Sequence, residues 1–97
     1  MPISNGRFHV PAGSGTTIGP IGSTNVIGIE VITAGLTGFT MYDSKTGDTT
    51  APKLLQTATL SVALGIPDMR DLPIVCNNGV SIVNTATGPE LQVYTFN

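Results

Sequence analysis

Turn-forming residues recur so often along this 97-residue chain that only short extended segments fit between them. Over residues 1–25, Pro2, Pro11 and Pro20 alternate with Gly6, Gly13, Gly15, Gly19 and Gly22. Proline costs a helix interior about 3 kcal/mol and glycine about 1 kcal/mol, so no helix starts here. Within this stretch Arg7–Val10 and Thr16–Ile18 read as short extended pieces. Ile3, Phe8, Val10, Ile18 and Ile21 recur through it. A solvated leader has no use for such side chains, whose burial is worth about 1.5–3 kcal/mol each. The segment 1–23 is therefore expected to be an extended, ordered N-terminal arm, with a β-sandwich domain over 24–97.

Val26–Thr33, VIGIEVIT, is the strongest strand, dense in β-branched residues that suit a pleated surface. Strict alternation puts Ile27, Ile29 and Val31 on one face and Val26, Glu30 and Ile32 on the other. Apolar residues on both faces point to a central or doubly covered strand. After the turn 34–38, Phe39–Tyr42 alternates again, and Asp43–Asp48 reads as a solvated hairpin tip with Gly47 at a positive φ. Over 53–64 a helical face of Leu54, Leu55, Ala58 and Val62 competes with period-two alternation of Ala58, Leu60, Val62 and Leu64. The intervening Thr57, Thr59 and Ser61 favour the strand. A loop at 65–71 precedes short strands at Leu72–Cys76 and Val80–Val83. The Asn78-Gly79 pair between them signals a two-residue hairpin. Leu91–Phe96 closes the chain, with Leu91, Val93 and Thr95 facing away from Gln92, Tyr94 and Phe96. Seven or eight short strands at this spacing predict an all-β fold, a small antiparallel β-sandwich or jelly-roll-like barrel.

Only 10% of the residues are charged, against about 25% in an average soluble domain. Six of these charges, Asp43, Lys45, Asp48, Asp68, Arg70 and Asp71, fall in two expected loops. The strands and the arm are left almost uncharged. Four Lys and Arg cannot build a basic footprint, so no nucleic-acid partner is expected. No apolar run approaches the roughly 18–20 residues of a membrane span, and MPISNGRFHV lacks the apolar core of a signal peptide. Cys76, the one cysteine, has no thiol to pair with and lies in the apolar run LPIVC, as a small buried hydrophobe would.

Catalytic chemistry finds little to work with. The lone His9 reads as a surface or interface histidine rather than a general base. Asp43–Asp48 superficially resembles a calcium loop, but Lys45 occupies the third position and no Glu closes it. Gly13-Ser14-Gly15-Thr16-Thr17 lacks the lysine, the preceding strand and the following helix of a phosphate-binding loop. No cofactor or metal is expected, and no enzyme. Neutral strands point instead to a protein partner, because interface cores are depleted in charge and Thr- and Gly-rich backbones offer edges for β-pairing.

The order VIGIEVITAGLTG, FTMYDSKTG, a Thr-rich strand, DLPIVCNNGVSIVNTATG and ELQVYTFN resembles the small β-sandwich virion proteins of tailed bacteriophages. The resemblance covers roughly residues 24–96, and the Gly/Pro-rich residues 1–23 depart from it. It implies a non-catalytic assembly protein, above all a capsid decoration (cement) protein on the outer surface of the virion, assembled in the host cytoplasm. Its partners would be the major capsid protein and copies of itself. Phe8, His9, Val10, Ile18 and Ile21 of the arm would make the contact. The alternative is a tail-fibre, neck or adhesin module that binds a receptor or glycan.

Overall fold

The computed structural model describes residues 5–13, 15–56 and 73–96. They form eight strands: β1 (Asn5–Val10), β2 (Thr16–Ile21), β3 (Thr24–Thr33), β4 (Phe39–Tyr42), β5 (Lys53–Gln56), β6 (Ile74–Cys76), β7 (Gly79–Asn84) and β8 (Glu90–Phe96). Two antiparallel four-stranded sheets result, sheet A in the order β1-β8-β3-β6 and sheet B in the order β2-β7-β4-β5. No helix occurs among the described residues. Of the strand expected over 53–64, β5 is the described part; residues 57–64 and the loop carrying Asp68, Arg70 and Asp71 lie outside the described residues.

This order is that of a jelly roll. β1 pairs with β8, β2 with β7, β3 with β6 and β4 with β5, so the chain is a folded-back ribbon that crosses between the two sheets. Where it crosses, the two connections travel side by side. Gly22 donates its backbone N–H to Asn78 O at 2.9 Å, joining the β2–β3 connection to the β6–β7 connection. Asn84 does the same at the next crossing, donating its backbone N–H to Gly15 O. Its side-chain amide donates to Pro89 O at 2.8 Å and Pro11 O at 3.3 Å.

The core lies between the sheets. Val10, Val26, Ile29, Val31, Leu91 and Val93 from sheet A meet Phe39, Met41, Val80 and Ile82 from sheet B, with Cys76 among them. On β8 the buried residues are Leu91, Val93 and Thr95, as its alternation predicts. On β3 the alternation changes phase. Val26 stands opposite Thr95 and Gly28 opposite Tyr94, so Ile27 is an extra residue in the ladder. This bulge flips the strand. Val26 therefore shares the core face with Ile29 and Val31, and Ile27 is only half-buried.

Two further features differ from the sequence expectation. Asn77 and Asn78 do not form a hairpin, because β6 belongs to sheet A and β7 to sheet B. Their backbone N–H groups are satisfied from another segment: Asp43 Oδ1 accepts from Asn77 at 3.1 Å and Asn78 at 2.8 Å. Gly79, at φ 143°, then redirects the chain into β7. The second difference concerns the arm. Its described residues supply two strands of the sandwich, with β1 at the edge of sheet A and β2 at the edge of sheet B. Phe8 joins the two edges. A methyl group on Gly19 would lie 2.6 Å from the Phe8 ring and 2.8 Å from Val80, so glycine is what lets the ring cover this side of the core.

Candidate partner-binding surface

The five arm residues expected to touch a partner do not share one surface. Val10 is wholly buried in the core, and Phe8 is half-buried against it. Backbone alternation along β1 turns His9 the other way, onto the outer face of sheet A. Ile18 and Ile21, 41% and 69% exposed, lie together on β2 at the edge of sheet B.

His9 is engaged within its own sheet. Its Nε2–H donates to Glu90 Oε2 at 2.6 Å, while Thr33 Oγ1 donates to Glu90 Oε1 at 3.0 Å. The His9 hydrogen bond first, and the Thr33 bond second, hold the Glu90 carboxyl below its ordinary value of 4.5. Such a depressed group stabilises the fold fully above its unfolded-state value and loses that contribution as pH falls through the folded-state value. His9→Ala is expected to raise the Glu90 pKa toward 4.5, read by NMR titration of its side-chain carboxyl. An unmoved titration would mean that the His9–Glu90 hydrogen bond is not made in solution.

The same face carries a second polar pair. Tyr94 Oη donates to Glu30 Oε1 at 3.2 Å. Partial burial first, and the Glu30 charge next, push the Tyr94 phenol up, with Arg7 opposing them. Arg7, His9, Glu30, Glu90, Gln92 and Tyr94 thus make sheet A polar outside. Phe96 and Val75 add exposed apolar area at one end of it, flanking Asn25 in the register. Alternation along β8 already places Phe96 on the solvent side. The exposure of Val75 depends on its being on a short edge strand, which its local sequence does not reveal.

Sheet B is different. Lys53 of β5 is its one charged strand residue. The residues pointing outward are Thr16 and Ile18 of β2, Ser81 and Val83 of β7, and Thr40 and Tyr42 of β4. Part of this face is covered by the β4–β5 connection, where the Cα region of Gly47 approaches Thr16 and Ile18. That connection is held by its own hydroxyls and carboxylates: Ser44 Oγ accepts from Thr46 N and Asp48 N, and Asp48 Oδ1 accepts from Thr50 N. Its base is not solvated as the sequence suggests, because Asp43 and Ser44 are buried.

Among the described residues, the edge of β2 leaves backbone groups without a partner strand. The bond from Asn84 N to Gly15 O places residue 15 in a hydrogen-bonded pair with residue 84. Antiparallel pairs alternate, so Thr17 and Ile82 form the next such pair, and the N–H and C=O of Thr16 and Ile18 point away from β7. Among the described residues no strand lies on that side. The other edges are guarded by charge or by brevity: β1 carries Arg7 and His9, β5 carries Lys53, and β6 has three residues. The six residues of β2 include no charge.

Cys76 is fully buried, and burial first, with the Asp43 charge second, pushes its thiol up to about 11. It is therefore a packing group at neutral pH. Among the described residues no three of His, Cys, Asp and Glu come together as metal ligands would. No protein-family model matches the chain, and no curated protein matches it in sequence.

Proposed function

We propose that this chain is a non-catalytic structural protein of a tailed-phage virion, a capsid decoration protein that seats sheet B on the outer surface of the major capsid shell and strengthens it. The observation that carries this reading is the segregation of charge. Arg7, Glu30 and Glu90 stand on sheet A, while the strands of sheet B turn threonine, isoleucine, serine, valine and tyrosine outward with Lys53 alone at the far edge, Ser81 and Tyr42 being already covered and Lys45 and Asp48 lying on the β4–β5 connection beside Thr16 and Ile18. A neutral face loses little solvation when it is covered, and interface cores are depleted in charge for that reason. The charged face stays in water. The jelly-roll architecture, which viral capsid and lectin domains also use, supports the reading by analogy of fold. Many copies on one shell would act together, so each contact can be modest.

The test is co-sedimentation with expanded capsids that lack the protein. Wild type is expected to pellet with them at micromolar concentration. Thr40→Lys, which puts a charge in the middle of the outer face of sheet B, is expected to abolish pelleting. Gln92→Lys, on sheet A, is expected to leave it intact. Failure of wild type to pellet, or equal behaviour of the two variants, overturns the assignment. Binding of the isolated protein to a glycan array would point to a receptor-binding module instead.

A further inference from the structure

We propose that two copies of this chain pair through β2, joining their B sheets into one eight-stranded antiparallel sheet. This inference does not rest on the virion reading.

Thr16 and Ile18 direct both backbone groups outward, while Thr17 directs its own toward β7. That pattern, outward–inward–outward, is symmetric about Thr17. A two-fold axis through the midpoint of two facing Thr17 residues therefore brings Thr16 of one copy opposite Ile18 of the other, and Ile18 opposite Thr16. Each pair exchanges two N–H···O=C bonds, four in all. An isologous interface requires this kind of self-complementarity, in which one patch serves both sides.

The surroundings favour a second copy over a foreign strand. The flat part of β2 is short, because the register shifts between Ile18 and Ile21 and Pro20 lies within that shift. An incoming strand must be equally short and bend away at the same place. It must also bring no charge next to Ile18, which is exposed and apolar. A second β2 meets both conditions, since it has the same bulge and no charged residue. Native sheets protect free edges with charge, proline or a bulge. Here the proline and the bulge protect one end of the strand and leave residues 16–18 open.

Side chains agree with the pairing. Thr16 and Ile18 lie on the same outward face, so each Ile18 would stand opposite Thr16 of the other copy, beside the β4–β5 connection that lies against both residues.

Sedimentation of the full chain up to millimolar concentration tests this. The mass is expected to rise from 10.0 kDa toward twice that value as concentration increases. Ile18→Pro removes an outward N–H from each copy, two of the four bonds, and leaves the ladder to β7 without a missing donor. It is expected to remain monomeric throughout, with a circular dichroism spectrum like that of wild type. A second variant does not depend on tolerance of proline. In the paired sheet the two Thr17 residues form a non-hydrogen-bonded pair with Cα atoms about 4.5 Å apart, within disulfide range. Thr17→Cys is then expected to give a covalent dimer on mild oxidation, and the buried Cys76 does not compete for the bond. A wild-type mass of 10.0 kDa at every concentration, together with no disulfide dimer from Thr17→Cys, overturns the proposal.

Discussion

Replacing Gly88 by alanine is expected to destabilise the protein by about 3 kcal/mol or more. The backbone at Gly88 is not left-handed, so strain in φ plays no part. The cost comes from Asn84. A methyl group at position 88 would fall on Asn84 Oδ1, and the buried amide would have to swing out. Its two donated bonds, to Pro11 O and Pro89 O, would be lost together. Those bonds tie the β1–β2 connection to the β7–β8 connection, so the crossing of the ribbon would loosen on both sides. Asn84→Ala alone is expected to cost about 2–4 kcal/mol, because the same carbonyls lose their donor. With the amide gone, however, the methyl at 88 has room. The double variant should cost little more than Asn84→Ala, giving a coupling above about 1 kcal/mol in a double-mutant cycle. Urea unfolding of the four proteins measures this, and additive losses would show that the two residues do not meet.

Asp43→Ala is expected to cost about 2–4 kcal/mol, and Asp43→Asn only about 1 kcal/mol. Asp43 Oδ1 accepts from both Asn77 N and Asn78 N, whereas Oδ2 reaches Asn77 N alone at 3.2 Å. An asparagine that places its carbonyl where Oδ1 stands keeps both Oδ1 bonds and gives up the charge and the longer Oδ2 contact with Asn77 N. Alanine leaves two amides of the β6–β7 connection without an acceptor. A second measurement separates charge from hydrogen bonding. The Asp43 carboxylate helps to hold the Cys76 thiol at about 11, so Asp43→Asn is expected to lower that value. Burial, the larger cause, keeps it above the ordinary 9.0. Thiol alkylation rates across pH report the shift, and a thiol that titrates as in wild type would mean that the carboxylate does not act on it.

These two residues also show where the sequence could and could not be read. Alternation along β8 is legible because its seven residues have no interruption. The same rule misplaces Val26 because the bulge at Ile27 is set by how β3 registers against β8, a strand more than fifty residues further along. The Asn78-Gly79 signal correctly marks a change of direction. It carries no information about which sheet each flanking strand joins, and here a remote carboxylate decides the shape of the corner. Asp43 reads as a polar loop residue, and nothing near it in the chain reveals the two amides it serves. The candidate surface was legible in the same partial way. Uncharged β2 stands out in composition, and Ile18 and Ile21 are where an apolar contact would be sought. Phe8 and Val10 look identical to them locally. They turn inward because β1 and β2 belong to different sheets and face each other across the open side of the core.

The folded-back ribbon also sets how the chain reaches its native state. Only β4 and β5 join through a connection that stays within one sheet, and every other described pair brings together more distant segments. The contact between His9 and Glu90 spans 81 residues. Loop-closure entropy has to be met before such distant pairs contribute, and domains dominated by them fold in milliseconds to seconds. Zipping outward from the β4–β5 hairpin keeps each successive closure shorter than it would be in the open chain, so the β1–β8 pair is expected to form last. On that order Phe8 covers the core beside Gly19 only at the final step.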